Sequence, residues 1–324
     1  MRRILPLLLA ILCLGAMQPA AAQAPWPSRP VRIVVVFPPG GSSDIVARVL
    51  ADALSQRLNG RFVVDNRPGA GGTLGAAQVA AAAPDGTTLM LSNTAPIVTS
   101  PPLYPSASYD PVAGFSHVTY LGATPLVIVA NRTLVTATDV AGLRAWIGAQ
   151  RTPPGYGTSG AGSVAHIVGI MFERQTGLAL THVPYRGSAP MQADLLGGSI
   201  PLSFDTLPQN IEHIRDGRLR AYAVTSPVRQ PMAPNLPTTA EVGMPDLVAE
   251  NWLGLSGPAG LPPAIVERLN AATIASMTDP AVIARMEEHG IVPRPTTPAE
   301  FTAFVAAQVR DIGGAIRAMG IRAD

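Results

Sequence analysis

The most constraining segment of this chain is a run of β-branched residues that enters a Gly-Gly turn and leaves it as a helix. Residues 31–37 predict a strand, and the apolar periodicity of residues 44–58 predicts a helix. Gly40 and Gly41 lie between them and leave the backbone open to a ligand. Because a helix N-terminus carries unpaired N–H groups and a partial positive charge, this turn is suited to bind an anion.

Strand and helix patterns alternate along most of the chain. Strands are predicted at residues 31–37, 61–65, 87–92, 155–158, 180–185, 200–204, 219–225 and 252–257, with a further apolar run at 125–130. Helices are predicted at residues 44–58, 74–83, 138–149, 163–175, 189–196, 207–215, 263–277, 280–289 and 298–319. Such β–α–β units indicate an α/β fold with a parallel sheet, whose ligands bind at the carboxyl ends of the strands.

The last three predicted helices have no strands between them, so they need a sheet elsewhere to cover their apolar faces. We expect the segment around Trp252 to cross back and the helices to pack on the first α/β unit. This predicts two domains with a cleft between them: residues 23–124 with 254–324, and residues 125–253.

The first 22 residues have the pattern of a secretory signal peptide. Arg2 and Arg3 precede a short apolar run, and Ala20–Ala22 follow it, so we expect cleavage after Ala22 and a mature protein exported from the cytoplasm. The run is shorter than the roughly 20 residues that a membrane span needs.

The composition of the mature chain excludes several classes of site. It has no lysine, which excludes a P-loop and a Schiff base, and its single cysteine, Cys13, lies in the predicted leader. Without Arg2 and Arg3, 21 Arg balance 21 Asp plus Glu, so nothing suggests a nucleic-acid partner. The five histidines lack metal-ligand spacing. We expect no metal, no cofactor and a monomer.

Three loops at predicted strand ends carry the candidate ligand-binding residues. They begin near Pro39, Thr158 and Pro184, and the first two combine Gly with hydroxyl residues at a helix N-terminus. The candidate residues are Pro39, Gly40, Gly41, Ser42, Asp44, Asn93, Thr158, Ser159, Gly160, Ser163, His166, Tyr185 and Asp205.

Other roles stay open for these residues. Ser and Thr often cap helices, and a histidine such as His166 often packs in a core. Asp205 follows a predicted buried strand, where it could bind an amine or cap the next helix. Arg186 could pair with a carboxylate or lie on the surface.

A serine hydrolase is the alternative function. Ser159 or Ser163 could act with His166 or His182 and with Asp205. However, Ala161 stands where the nucleophile-elbow pattern G-x-S-x-G requires its last glycine.

The chain resembles the Bug family of periplasmic solute receptors, the binding components of tripartite tricarboxylate transporters. The resembling segments span nearly the whole mature chain: residues 26–35, 38–44, 66–72, 84–87 and 160–163 with His166, residues 183–187, and Trp252 with Gly254 and residues 257–258.

This resemblance implies a two-domain Venus-flytrap fold of the type II periplasmic binding class. It implies a small carboxylate as ligand, such as a dicarboxylate, a tricarboxylate, an acidic amino acid or an aromatic acid. It implies a permease or sensor protein in the membrane as partner, no catalytic residues, and carboxylate-binding loops at residues 40–44 and 158–163. An acid at Asp205 would favour a ligand with an amino group.

Overall fold

Nine strands form one mixed sheet in the computed structural model, which describes residues 26–105 and 107–318. The predicted signal peptide lies outside the described residues. The strands are β1 (Val31–Val35), β2 (Phe62–Asn66), β3 (Thr88–Asn93), β4 (Phe115–Asn131), β5 (Gly155–Thr158), β6 (Thr181–Pro184), β7 (Leu202–Thr206), β8 (Leu219–Val224) and β9 (Glu250–Pro258). The helices are α1 (Ser42–Leu58), α2 (Thr73–Ala80), α3 (Val140–Gly148), α4 (Val164–Thr176), α5 (Ser188–Gly197), α6 (Leu207–Arg215), α7 (Pro263–Met277), α8 (Pro280–Glu287), α9 (Pro298–Gln308) and α10 (Gly314–Ala318).

The strand order is β2-β1-β3-β9-β4-β7-β5-β6, and β8 pairs with β4 beside this path. The β1–β2, β1–β3, β5–β6 and β5–β7 pairs are parallel, as expected, whereas β4 and β9 run antiparallel to their neighbours. Strand β4 pairs with β9 as far as Pro125 and with β7 from Leu126 onward. This long strand therefore carries the chain from one half of the sheet to the other.

Separate hydrophobic cores on the two halves of the sheet define two lobes. We call the described residues up to Pro125 and from Glu250 onward lobe 1, and residues 126–249 lobe 2. Lobe 1 buries α1 and the C-terminal helices around Leu50, Leu269 and Phe301. Lobe 2 buries side chains such as Phe172 and Phe204. The last helices thus cover lobe 1, because the sheet of lobe 2 already has α3–α6.

Three features differ from the sequence expectation. Residues 115–124 belong to β4, whereas no strand was predicted between residues 92 and 125. Trp252 and Leu253, expected at the end of the second domain, pack in lobe 1 because all of β9 pairs there. The predicted terminal helix is interrupted by a π-helical turn at Val309–Gly313.

Candidate functional site

A cavity of about 120 Å³ lies between the two lobes at the ends of their strands. Both lobes line it, and we call it the strand-end cavity. A second cavity of about 580 Å³, the glycine-loop cavity, lies beside it and is lined by Gly69–Gly72 and Ser159–Ala161. The two cavities share Phe37, Pro38, Ser159, Arg186 and Gly187.

Lobe 1 contributes the loop between β1 and α1 to the strand-end cavity. Pro39, Gly41 and Ser42, three of the predicted ligand-binding residues, line it together with Ser43. Gly40 does not line the cavity; it turns the chain at a φ of +88°, a left-handed conformation that favours glycine.

The structure places Asp44 differently from the expectation, because it does not line either cavity. Its carboxylate accepts hydrogen bonds from Gly40 N–H (3.1 Å), Asn66 Nδ2 (3.0 Å) and both Nε (3.0 Å) and an Nη (2.9 Å) of Arg48. Burial alone would raise the pKa of Asp44, but these hydrogen bonds and the Arg48 charge hold it below its ordinary value. Asp44 therefore fixes the loop while the backbone and serines face the cavity.

Asn93 also supports the loop from behind. It is fully buried at the end of β3, where its Nδ2 donates to Ser43 Oγ at 3.3 Å and its Oδ1 accepts from Ala95 N–H at 3.1 Å. It does not line the strand-end cavity, so it positions Ser43 instead.

Lobe 2 contributes the loop between β5 and α4. Ser159 and Ser163 line the strand-end cavity, and Gly160 lines the glycine-loop cavity. Ser163 also caps α4, because its Oγ accepts from the backbone N–H of His166 at 3.2 Å. The capping role that we left open for this serine is therefore present together with a place at the cavity.

His166 and Thr158 lie behind this loop and do not line the cavities. The Nδ1 atom of His166 accepts from Gly162 N–H at 3.2 Å, and its ring stacks on His182 with centroids 4.0 Å apart. Thr158 Oγ1 lies 2.7 Å from His182 Nε2. Burial lowers the pKa of His166 to about 4, and burial with the neighbouring His166 lowers that of His182 to about 3. Both rings are thus neutral near pH 7 and hold the loop.

Side chains of lobe 1 form hydrogen bonds with the backbone of the same loop. Thr99 Oγ1 donates to Gly162 O at 2.7 Å, and Tyr104 OH donates to Ala161 O at 3.1 Å. The one proton of Ser100 Oγ is shared between Gly71 O of lobe 1 at 2.8 Å and Gly162 O at 3.1 Å. Below these hydrogen bonds, an apolar cluster joins the lobes through three buried side chains, Leu103 and Ile316 of lobe 1 and Ile167 of lobe 2.

On the other side of the cavity the lobes also touch. Ser42 Oγ lies 3.4 Å from Thr206 Oγ1, and Gln209 Nε2 donates to Gly40 O at 3.4 Å. The strand-end cavity is thus bounded by contacts between the lobes on two sides.

The third loop, after β6, adds residues to both cavities. Arg186 is an exposed residue that lines both cavities. Among residues 26–105 and 107–318 it forms no ion pair. Tyr185 lines the glycine-loop cavity, and its hydroxyl donates to Asp194 Oδ2 at 2.6 Å. Ser188 lines the strand-end cavity.

Asp205 is the acidic side chain of the strand-end cavity, and it is only 2% exposed. Ser188 Oγ donates to its Oδ1 at 3.0 Å and Asn210 Nδ2 to its Oδ2 at 3.1 Å. Burial raises the pKa of Asp205 to about 6, although hydrogen bonds, including those from Asn210 and Ser188, work against this shift.

Several cavity residues were not among the candidates. They include Ser43, Leu126, Ser188, Thr206, Gln209 and Asn251. Thr206 and Gln209 follow Asp205 at the start of α6, so the strand-end rule that selected Asp205 could have found them. Leu126 and Asn251 lie on β4 and β9, and no motif marks them.

Two negative findings concern the described part of the chain. No three or more His, Cys, Asp or Glu side chains there are grouped so that they could hold a metal ion. Within those same residues, the helices are too short or too polar to cross a membrane.

Known proteins resemble this chain in sequence and in structure. The protein BugT of Bordetella pertussis (strain Tohama I) is 36% identical over 312 residues, which are 95% of this chain and 94% of BugT. The structure of Rpa4515 from R. palustris with adipate superposes with a TM-score of 0.86 at 33% identity, covering 92% of this chain and 99% of that one. The structure of MatC (Rpa3494) from Rhodopseudomonas palustris with bound malate gives a TM-score of 0.84 at 29% identity, covering 90% and 100%.

Solved structures of other periplasmic binding proteins at 27–36% identity confirm the two-domain α/β flytrap that the sequence led us to expect. The family model described as TctC, tripartite tricarboxylate transporter family receptor, matches residues 46–321. The resemblance found in the sequence is confirmed, and the chain belongs to the TctC family of solute-binding receptors.

Proposed function

We propose that this protein captures a small carboxylate in the strand-end cavity and passes it to a membrane permease or a sensor protein. The ligand classes that we consider are dicarboxylates, tricarboxylates, acidic amino acids and aromatic acids. The coarser statement, that the chain is a solute-binding protein, follows from its family.

One observation carries the proposal: the first turns of two helices face this cavity, one from each lobe. Ser42 and Ser43 of α1 and Val164 and Ala165 of α4 line it. First-turn N–H groups have no partner inside their helix. In the described part of the chain, no loop or side-chain acceptor takes these four N–H groups. Four free donors at two positive helix ends match the charge and geometry of a carboxylate.

The ligands of two similar proteins support this choice. One of the structures similar to this chain contains malate and another contains adipate, and both of these ligands are carboxylates. Because the loops of this chain offer backbone and hydroxyl donors, they could hold such a group directly or through water.

The geometry gives no support to the serine hydrolase. Ser163 Oγ accepts from the backbone of His166, and the Nδ1 atom of His166 accepts from Gly162 N–H. Among the described residues, no hydrogen bond joins either serine candidate to an imidazole, or Asp205 to a histidine. A triad would need both kinds of contact.

The location and state of the protein are part of the proposal. Receptors of this family are periplasmic binding proteins. We propose that this chain reaches the periplasm through a signal peptide cleaved after Ala22. There it would act as a monomer, with lobe 2 closing against lobe 1 on the ligand.

Thermal melting of the mature protein with a panel of small acids tests the proposal. A ligand at about 100 times its Kd adds about 2.7 kcal/mol of stability, which corresponds to a shift of several degrees. At least one carboxylate should raise the melting temperature, and its amide should not. If no acid shifts it, or if the amide shifts it equally, carboxylate capture is wrong.

A further inference from the structure

We propose that Asp205 selects ligands that carry an ammonium group beside the carboxylate, so that this receptor binds a small amino acid in preference to a plain dicarboxylate. This inference rests on the proposed capture of a carboxylate in the strand-end cavity and names the ligand class more narrowly.

The first argument is the position of Asp205. It ends a buried strand, β7, and its side chain lines the strand-end cavity while being 2% exposed. Bulk water therefore cannot solvate the carboxylate well, and anything that occupies the cavity lies against it.

The second argument is that the protein groups bonded to this carboxylate are neutral. Ser188 donates to one oxygen and Asn210 to the other, and the backbone N–H of Thr206 is a third neutral donor. In residues 26–105 and 107–318 no arginine or histidine forms an ion pair with Asp205. A carboxylate offers about four acceptor positions, so these three donors still leave acceptor capacity that can face the cavity. Arg186 lines the same cavity but forms no ion pair with Asp205, so among the described residues this carboxylate has no paired positive charge.

The third argument is the conflict with a second anion. The helix ends of α1 and α4 would hold the ligand carboxylate in the same small cavity. A like charge nearby disfavours the ionised form of both groups, whereas a cation within about 4–6 Å favours it. The pKa of Asp205, raised to about 6, leaves the group mostly ionised at pH 7.5. An ammonium on the ligand resolves this conflict, because it donates to Asp205 and balances its charge.

Two sets of acids with matched carbon skeletons test the inference by isothermal titration calorimetry at pH 7.5. One set is alanine, lactate and propionate, and the other is aspartate, malate and succinate. Within a set, only an amino group, a hydroxyl or a hydrogen changes. In the better-binding set, the amino member should bind at least about tenfold more tightly than the unsubstituted acid, which is the usual size of a charge-assisted hydrogen bond.

The variant Asp205→Asn keeps the shape of the side chain and removes its charge. The tenfold preference should shrink to about threefold or less, because a neutral amide forms a weaker hydrogen bond to ammonium. The control is Asp52→Asn, since Asp52 is exposed on lobe 1 and pairs with Arg285 at 3.4 Å. This control should keep the wild-type order of affinities.

The outcomes separate this inference from the proposed function. If the unsubstituted acid binds as tightly as the amino acid, or if the preference survives in Asp205→Asn, the role of Asp205 is wrong while carboxylate capture stands. If the hydroxy acid binds most tightly, Asp205 selects a neutral donor and the ammonium assignment is wrong. If neither set binds and no other carboxylate does, the proposed function itself fails. The wild-type order of affinities decides even if the variant does not fold.

Discussion

The two loops that face the strand-end cavity use the same helix position with different chemistry. Asp44 is the third residue of α1, and His166 is the third residue of α4. Each accepts a hydrogen bond from the backbone N–H four residues earlier, Gly40 at 3.1 Å and Gly162 at 3.2 Å. This arrangement is related to a capping box, in which the third side chain reaches back to the start of the helix.

The difference between the two side chains is one of charge. The Asp44 carboxylate is balanced by Arg48, whereas the His166 imidazole is neutral and stacks on His182. A carboxylate can accept the hydrogen bond at any pH above its low pKa, but an imidazole accepts only while it is neutral. The hydrogen bond that supports the lobe 2 loop is therefore the one that acid disrupts first.

The largest expected effect comes from removing the charged support. Asp44→Ala should lower the free energy of unfolding by about 2–4 kcal/mol, because Gly40 N–H loses its acceptor, Asn66 Nδ2 loses one of its two acceptors and Arg48 loses its ion pair. Urea denaturation measures this loss. The control Asp52→Ala removes an exposed ion pair and should change stability by at most about 1 kcal/mol. Equal losses in the two variants would contradict the role of Asp44.

The second prediction is that the two loops lose stability at different pH values. The folded pKa of His166 is about 4 against an ordinary 6.5, so its contribution to stability is present above pH 6.5 and lost as pH falls toward 4. The loss is about 2 kcal/mol by pH 5. The pKa of Asp44 lies below its ordinary 3.8, so its contribution is lost only below that value.

Hydrogen exchange, corrected for the intrinsic rate, measures this difference locally. The Gly162 N–H should lose protection between pH 7 and pH 5, while the Gly40 N–H keeps it. A local probe is needed because Asp205 has the opposite sign: its pKa is raised to about 6, and it destabilises the fold as pH rises through that value. His166→Gln should remove the acid response of Gly162. Equal loss of protection in both loops would contradict the claim that the lobe 2 loop is more sensitive to acid.

The third prediction concerns the hydrogen bonds between lobe 1 and the lobe 2 loop. Thr99→Val combined with Tyr104→Phe removes two hydrogen bonds between the lobes, each worth about 1 kcal/mol. Because these bonds hold the lobes together around the cavity, ligand affinity should fall about threefold to thirtyfold. The matched control is Tyr222→Phe, whose hydroxyl bonds to Ala137 O within lobe 2 at 3.0 Å. If the control weakens binding equally, these hydrogen bonds have no special role.

The smallest expected effect compares the helix caps. Ser163 caps α4 with its hydroxyl, whereas Gly41 gives α1 no side-chain cap. Ser163→Ala should lower the free energy of unfolding by about 1 kcal/mol, and Gly41→Ser should raise it by a few tenths. Thermal melting of the ligand-free protein reports both changes. A gain from Ser163→Ala would contradict the cap.

Much of the fold could be predicted from the sequence because strands and helices alternate with clear turn signals. The run 31–37, the Gly-Gly turn and the helix after it occur close to the expected residues. The first half of β4 was missed; it pairs with β9, whose residues lie 125 to 143 positions further along the chain. Its β-branched and aromatic residues, such as Phe115, Val118 and Tyr120, are typical of a strand, so the local composition could have identified it.

The site could be predicted at the level of loops but not of side chains. The loops at Pro39 and Thr158 do meet across a cavity, as the strand-end rule indicates. Asp44 and His166 point back into their own loops, and the third-residue position could have signalled this. Leu126 and Asn251 line the cavity from the two strands β4 and β9, and no local sequence pattern identifies them.

A crystal structure with the acid that most raises the melting temperature shows where the ligand carboxylate binds. We expect it in the strand-end cavity, with its oxygens about 2.7–3.2 Å from first-turn N–H groups of both α1 and α4, or joined to them by one water. The side chains of Asp44 and His166 should keep their bonds to Gly40 and Gly162. A carboxylate bound away from these helix ends, or bound by the Asp44 and His166 side chains themselves, would contradict the account.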